Sequence, residues 1–165
     1  MSEHQSFPYG ERVAKEVAGG VALTAIKTPL SCMLISLEKR LYPSNTPLGI
    51  TPNLLKDKNF RNFARFGSPV IEELLFRGAL LNCFHAVSTK YFNMKDTHAA
   101  IASSVANSLI FSAMHSKGMR LHTFAGGMLY SGVTYYSGSL FPAISAHITT
   151  NNIACAALMS RLKKT

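Results

Sequence analysis

Residues 121–160 read LHTFAGGMLYSGVTYYSGSLFPAISAHITTNNIACAALMS, forty positions without one Asp, Glu, Lys or Arg. A helical hairpin in water must present charge to solvent somewhere, so a stretch this long without any reads as two helices facing lipid. Ser137-Gly138-Ser139 breaks the pattern and predicts helices over 121–137 and 140–160. Working back along the chain, residues 97–116 are also free of charge and predict a third helix. Ser68-Pro69 supplies an N-cap and first-turn pair that predicts a helix over 68–88. Residues 17–37 form a further apolar stretch, interrupted by Lys27 and Pro29. The fold class that follows is all-α, a multi-pass transmembrane helical bundle with four to five spans.

Composition agrees once its distribution is considered. The chain of 165 residues is 47% hydrophobic and 15% charged, against a charged share of about 25% in soluble domains. Mean hydropathy is only +0.13 because the charge is concentrated between the apolar stretches. Residues 1–67 divide into a polar N-terminus (1–16), the interrupted apolar stretch, and a basic connector (38–67) punctuated by Pro43, Pro47 and Pro52. Within the connector, aromatics alternate with Arg61 and Arg65 from Phe60 to Phe66, a pattern suited to a membrane interface. Residues 68–160 form the core of the bundle, and 161–165 a basic tail.

The net charge of +9 does not imply nucleic acid, because the basic residues flank apolar spans and no nucleic-acid-binding motif is present. Lys and Arg in that position set membrane topology and contact anionic lipid. With five spans, eleven of them fall on one side and four on the other, which predicts a cell-membrane protein with its C-terminus in the cytoplasm. The lipid bilayer is therefore the first expected partner. Cys32, Cys83 and Cys155 are isolated, with no disulfide framework or zinc-knuckle spacing. The N-terminus has no short basic region feeding an apolar stretch, so no cleavable signal is expected. Gly126, Gly127, Ser131 and Gly132 are spaced along one helix as close helix approach requires, although glycine is also common in membrane helices.

Polar residues inside apolar spans are candidates for function, because a buried ionisable group is costly unless paired or protonated. Of the eight acidic residues, only Glu72 and Glu73 lie inside such a stretch. Glu73 and Arg77 are four apart in the favourable acid-first order. Glu72 lies about 100° round the helix with no such local partner, which leaves it for chemistry unless both glutamates join one ion-pair network. His115 lies one turn after Phe111, near a helix end where histidine also serves packing or the helix dipole. His147 and Asn151 are one turn apart in mid-span, as a catalytic pair or as interhelical hydrogen-bonding groups. Together these positions hold a carboxylate base, two imidazoles and an amide donor on three helices. His85, His98 and His122 fall near span ends and read as interfacial or packing residues. No HExxH, GxSxG, P-loop or GxGxxG occurs. Ser131-Gly132 fits a rhomboid-type serine site poorly, since Leu129 stands where that site has glycine.

Three motifs carry a family resemblance. Glu72-Glu73-Leu74-Leu75-Phe76-Arg77 matches EExxxR, Phe111-Ser112-Ala113-Met114-His115 matches FxxxH, and His147-Ile148-Thr149-Thr150-Asn151 matches HxxxN. In this order, over residues 68–160, they resemble the CPBP (Abi) intramembrane proteases, which include the Rce1-type CAAX prenyl endopeptidases. The resemblance implies that Glu72 and His115 hold and activate a water, and that His147 and Asn151 stabilise the oxyanion. It casts Glu73 and Arg77 as a supporting ion pair, and the expected substrate as a membrane-associated or lipidated peptide or protein. No cofactor is expected, with zinc on Glu72, His115 and His147 as the alternative. The chain departs from the family in having a single apolar stretch before the glutamates. A non-catalytic member that binds a membrane partner, as in bacteriocin self-immunity, is the competing expectation. A small transporter subunit is a third, for which no inverted repeat speaks.

Overall fold

The computed structural model describes residues 9–41, 54 and 56–162, and among them every regular element is helical. Helix α1 spans Tyr9–Leu41. Helix α2 is a continuous rod over 58–91, α3 spans Asp96–Ala113, α4 Arg120–Ser137 and α5 Phe141–Leu162. The proline-rich part of the connector and the basic tail at 163–165 lie outside the described residues, as do residues 1–8. Helix α1 packs along α5 and α4, and α3 is held between α2 and α4.

Three of the expected helices, over 97–116, 121–137 and 140–160, are present within a few residues. The remaining two begin earlier than the sequence suggests. Helix α1 starts at Tyr9, inside the polar N-terminal segment. Helix α2 starts at Lys58 and runs through Ser68-Pro69, which is no helix start. The reason is local. Proline in a helix interior lacks an N–H and crowds the carbonyl four residues back, and the turn before it, Phe63–Gly67, is π-helical, so that the Ser68 N–H reaches the Phe63 carbonyl. The wider turn accommodates Pro69, which is fully buried. A second π-helical turn, Leu74–Leu80, follows directly after the glutamate pair.

Helix α4 ends where glycine is needed. Gly138 has φ 64° and its N–H bonds the Thr134 carbonyl at 2.9 Å, a left-handed C-cap that turns the chain into α5. The start of α4 is capped from a distance, since the buried Glu38 of α1 accepts the Leu121 N–H at 2.7 Å and lies 3.6 Å from His122. A carboxylate suits a helix N-terminus, and His122 is a packing residue of this cluster.

Polarity is inverted relative to a water-soluble bundle. The largest fully buried side chains include Arg77, Tyr130, Glu38, Glu73 and Asn107, whereas Ile71, Leu74, Leu75, Ile101, Leu109 and Ile153 are exposed. A soluble domain places these classes the other way round. Among the described residues one helix, α1, is apolar and long enough to cross a membrane. This is the stretch that Lys27 and Pro29 interrupt. Lys27 does not count against it, because its side chain is buried against the other helices.

Two glycines give a test of the packing. A Cβ on Gly20 would collide with the Ser145 hydroxyl and the Pro142 carbonyl, whereas a Cβ on Gly132 would meet nothing within 4 Å. Gly20→Ala should therefore destabilise the bundle by about 1–3 kcal/mol, and Gly132→Ala should be neutral or stabilising by up to about 1 kcal/mol. Thermal unfolding of the two variants in detergent measures both, and equal transitions would contradict the α1–α5 packing.

Candidate active site

The site forms where the first half of α2, the turn after α3 and the middle of α5 meet. A cavity of about 280 Å3 opens there, and Glu72, His115, His147 and Asn151 all line it. Phe60, Phe63, Met119 and Leu158 form its apolar walls. The Phe60–Phe66 segment is thus a wall of the cavity as well as an amphipathic surface, with Phe63 and Phe66 partly facing outward.

Below the cavity lies the fully buried Glu73. Its Oε1 is 2.7 Å from His147 Nδ1 and accepts from the Arg77 guanidinium at 3.3 Å. The second contact, Arg77 Nε to Glu73 Oε2 at 3.3 Å, is a charge contact without hydrogen-bond alignment. Arg77 also donates to the Gly127 carbonyl at 3.3 Å, an approach that a side chain on residue 127 would obstruct. Its charge lies 4.5 Å from the centre of the Phe111 ring and 5.5 Å from that of Tyr130. The Glu73–Arg77 pairing expected from the sequence is present, but Glu73 has a second partner in His147. That bond crosses seventy-four positions, so no local spacing discloses it.

The same bond fixes the tautomer of His147. A carboxylate accepts, so Nδ1 carries the hydrogen and Nε2 faces the cavity, 3.8 Å from Glu72 Oε2. That separation is too long for a hydrogen bond. The Tyr130 ring stacks on the imidazole, with centroids 5.3 Å apart. Glu72 is part-buried, and its Oε1 accepts a hydrogen bond from the Ser68 hydroxyl one turn earlier. His115 donates from Nδ1 to the Phe111 carbonyl at 2.8 Å, which leaves its Nε2 lone pair free. The Phe111 ring lies 4.7 Å from His115 and 6.2 Å from His147, between the two imidazoles. Asn151 donates one amide N–H to the Ala64 carbonyl at 2.9 Å, in the first π-helical turn. Its other N–H is not used by that bond.

Sequence reasoning missed three neighbours of the site. Ser68 resembled a helix cap, yet its hydroxyl serves Glu72. Tyr130 had no polar-residue signal at all. Lys27 figured only as an interruption of α1. For a metal, the described residues contain no group of three His, Cys, Asp or Glu arranged to hold an ion. The zinc alternative therefore lacks a preformed ligand set among the described residues.

The profile of one protein family, described as type II CAAX prenyl endopeptidase Rce1-like, matches residues 63–153 and so takes in all three motifs. No curated protein and no solved structure matches the chain.

The double duty of Glu73 is open to measurement. Glu73→Gln leaves Arg77 as an unpaired buried charge, so it should cost about 3–5 kcal/mol of stability. The Glu73→Gln/Arg77→Met double variant should recover most of that loss. Unfolding curves in detergent decide it. Near-additive losses would mean that the pair is not coupled.

Proposed function

The chain belongs to the type II CAAX prenyl endopeptidase Rce1-like family, membrane-embedded proteases, and we propose that it is an intramembrane endopeptidase that hydrolyses membrane-associated or lipidated peptides with a water activated by Glu72 and His115. One observation carries this reading: Glu72, His115, His147 and Asn151, from three separate motifs, face a single cavity, and His147 is bonded behind it to the buried Glu73 of the Glu73–Arg77 pair. A binding protein has no need of that combination of base, imidazoles and amide.

In the proposed reaction a water lies between Glu72 and the Nε2 lone pair of His115. Glu72 takes a proton as the water oxygen bonds to the substrate carbonyl carbon. The carbonyl π electrons become an oxyanion, which His147 Nε2–H and the second Asn151 N–H stabilise. His147 then carries a proton on both nitrogens, and the Glu73 carboxylate holds the ring by its Nδ1–H, as the buried carboxylate does in a catalytic triad. Collapse of the tetrahedral intermediate breaks the C–N bond, and the proton held by Glu72 passes to the leaving amine. No covalent acyl-enzyme forms and no metal enters.

The proposal also includes a multi-pass arrangement of four to five spans in the cell membrane. The exposed apolar side chains of α2 to α5 and their polar interior support it, because polar groups in a bilayer face the bundle interior. With the C-terminus in the cytoplasm, the cavity opens toward the cytoplasmic half, next to residues 117–119 and the end of α5. Substrate would enter from that side.

Glu72→Gln keeps the shape of the side chain and removes its basic oxygen. Turnover of quenched peptides, prenylated and unprenylated, should fall by about 10²–10⁴-fold while the protein stays folded. Strong chelators should leave the wild type unaffected. Normal turnover by Glu72→Gln would remove its role as base, and inactivation by a chelator with rescue by zinc would replace the metal-free mechanism.

A further inference from the structure

Lys27 and Arg77 are the only Lys or Arg side chains buried among the described residues. Arg77 has a carboxylate partner. Among the described residues no carboxylate lies within salt-bridge distance of Lys27, and it is nonetheless held in place. Its stem crosses α4 at Gly126, where a Cβ would come within 2.7 Å of Cε. Its Nζ lies 3.5 Å from the Thr150 hydroxyl and 5.2 Å from the centre of the Tyr130 ring.

The Thr150 oxygen accepts from Lys27, lies 2.9 Å from the Ala146 carbonyl and lies 3.3 Å from the Tyr130 hydroxyl, so it joins all three groups. Tyr130 in turn stacks on His147. A continuous path therefore runs from α1 to the imidazole: the Lys27 ammonium, the Thr150 hydroxyl, the Tyr130 ring and then His147.

We propose that Lys27 is a positioning residue of the site, acting through Thr150 and Tyr130 to hold the His147 ring. The activity arm of this inference rests on the endopeptidase reading. Lys27 lies outside the family match at 63–153 and does not line the cavity, so it does not touch substrate. Helix α1 is then part of the catalytic apparatus as well as a membrane anchor.

The test compares wild type, Lys27→Met, Thr150→Val and the double variant, purified in detergent and corrected for folded fraction. Lys27→Met keeps the stem and removes the charge. Thr150→Val keeps the shape and removes the bridging oxygen, and it serves alone if Lys27→Met fails to fold. Each single variant should lower kcat by about tenfold with KM unchanged, and the double variant should fall little further, as expected of coupled neighbours. A purely structural role would lower the folded fraction and leave kcat per folded molecule unaltered, which would overturn the proposal. So would additive losses, or a change confined to KM. A second readout is the rate at which diethyl pyrocarbonate modifies His147, located by mass spectrometry. It should rise in both variants as the ring loosens, and an unchanged rate in both would also overturn the proposal. If the wild type cleaves no peptide, the endopeptidase reading fails, and the modification rate still decides the role of Lys27.

Discussion

The fully buried carboxylate of Glu73 holds the molecule's centre together. It binds Arg77 on its own helix and His147 on α5. Arg77 then reaches the backbone of α4 at Gly127, and the Phe111 ring of α3 lies against its charge. Four helices are thus oriented about one anion. In a low-dielectric interior such a network stabilises only when each charge is satisfied, which is why so many small residues surround it. Glycine at 127 leaves room for the guanidinium and glycine at 126 leaves room for the Lys27 stem. The chemistry proposed for the cavity depends on this network, because it decides which nitrogen of His147 faces the reacting atoms.

The two π-helical turns of α2 have a related part. They bracket the segment Ser68–Glu73, which carries the glutamates. A widened turn leaves carbonyls poorly satisfied, and side chains take them up: Asn151 bonds the Ala64 carbonyl across the cavity, and Asn82 bonds that of Gly78 at 2.6 Å. The first of these bonds ties the cavity wall to α5, so the irregular backbone sets the width of the site. Such turns often occur at functional sites, and here Pro69 supplies a local cause for one of them.

Much of this arrangement was legible in the sequence, and the rest follows a physical division. Absence of charge over 97–116 and 121–160 marks three helices, which the structure has at Asp96–Ala113, Arg120–Ser137 and Phe141–Leu162. The i, i+4 spacings of Glu73 with Arg77, Phe111 with His115 and His147 with Asn151 are local and could be read directly. Three kinds of feature could not. The helix that begins at Lys58 and continues through Pro69 depends on a π-helical turn that no residue pattern announces. Contacts between distant positions, such as Glu73 with His147 and Lys27 with Thr150, depend on how helices cross. Glu38 looked like part of a charged connector, yet it is buried because the N-terminus of α4 draws it in. The catalytic roles of the four cavity residues stand as proposals from their geometry and their family motifs.

The most direct test of the account is the state of the His147 ring. Histidine labelled with 15N, observed by NMR in detergent micelles with His147→Gln as the assignment control, reports which ring nitrogen carries a proton and how strongly it is hydrogen-bonded. The account predicts a protonated Nδ1 with a strongly deshielded proton, which disappears or moves upfield in Glu73→Gln. A His147 protonated at Nε2 alone, or one whose resonances ignore Glu73→Gln, would contradict it.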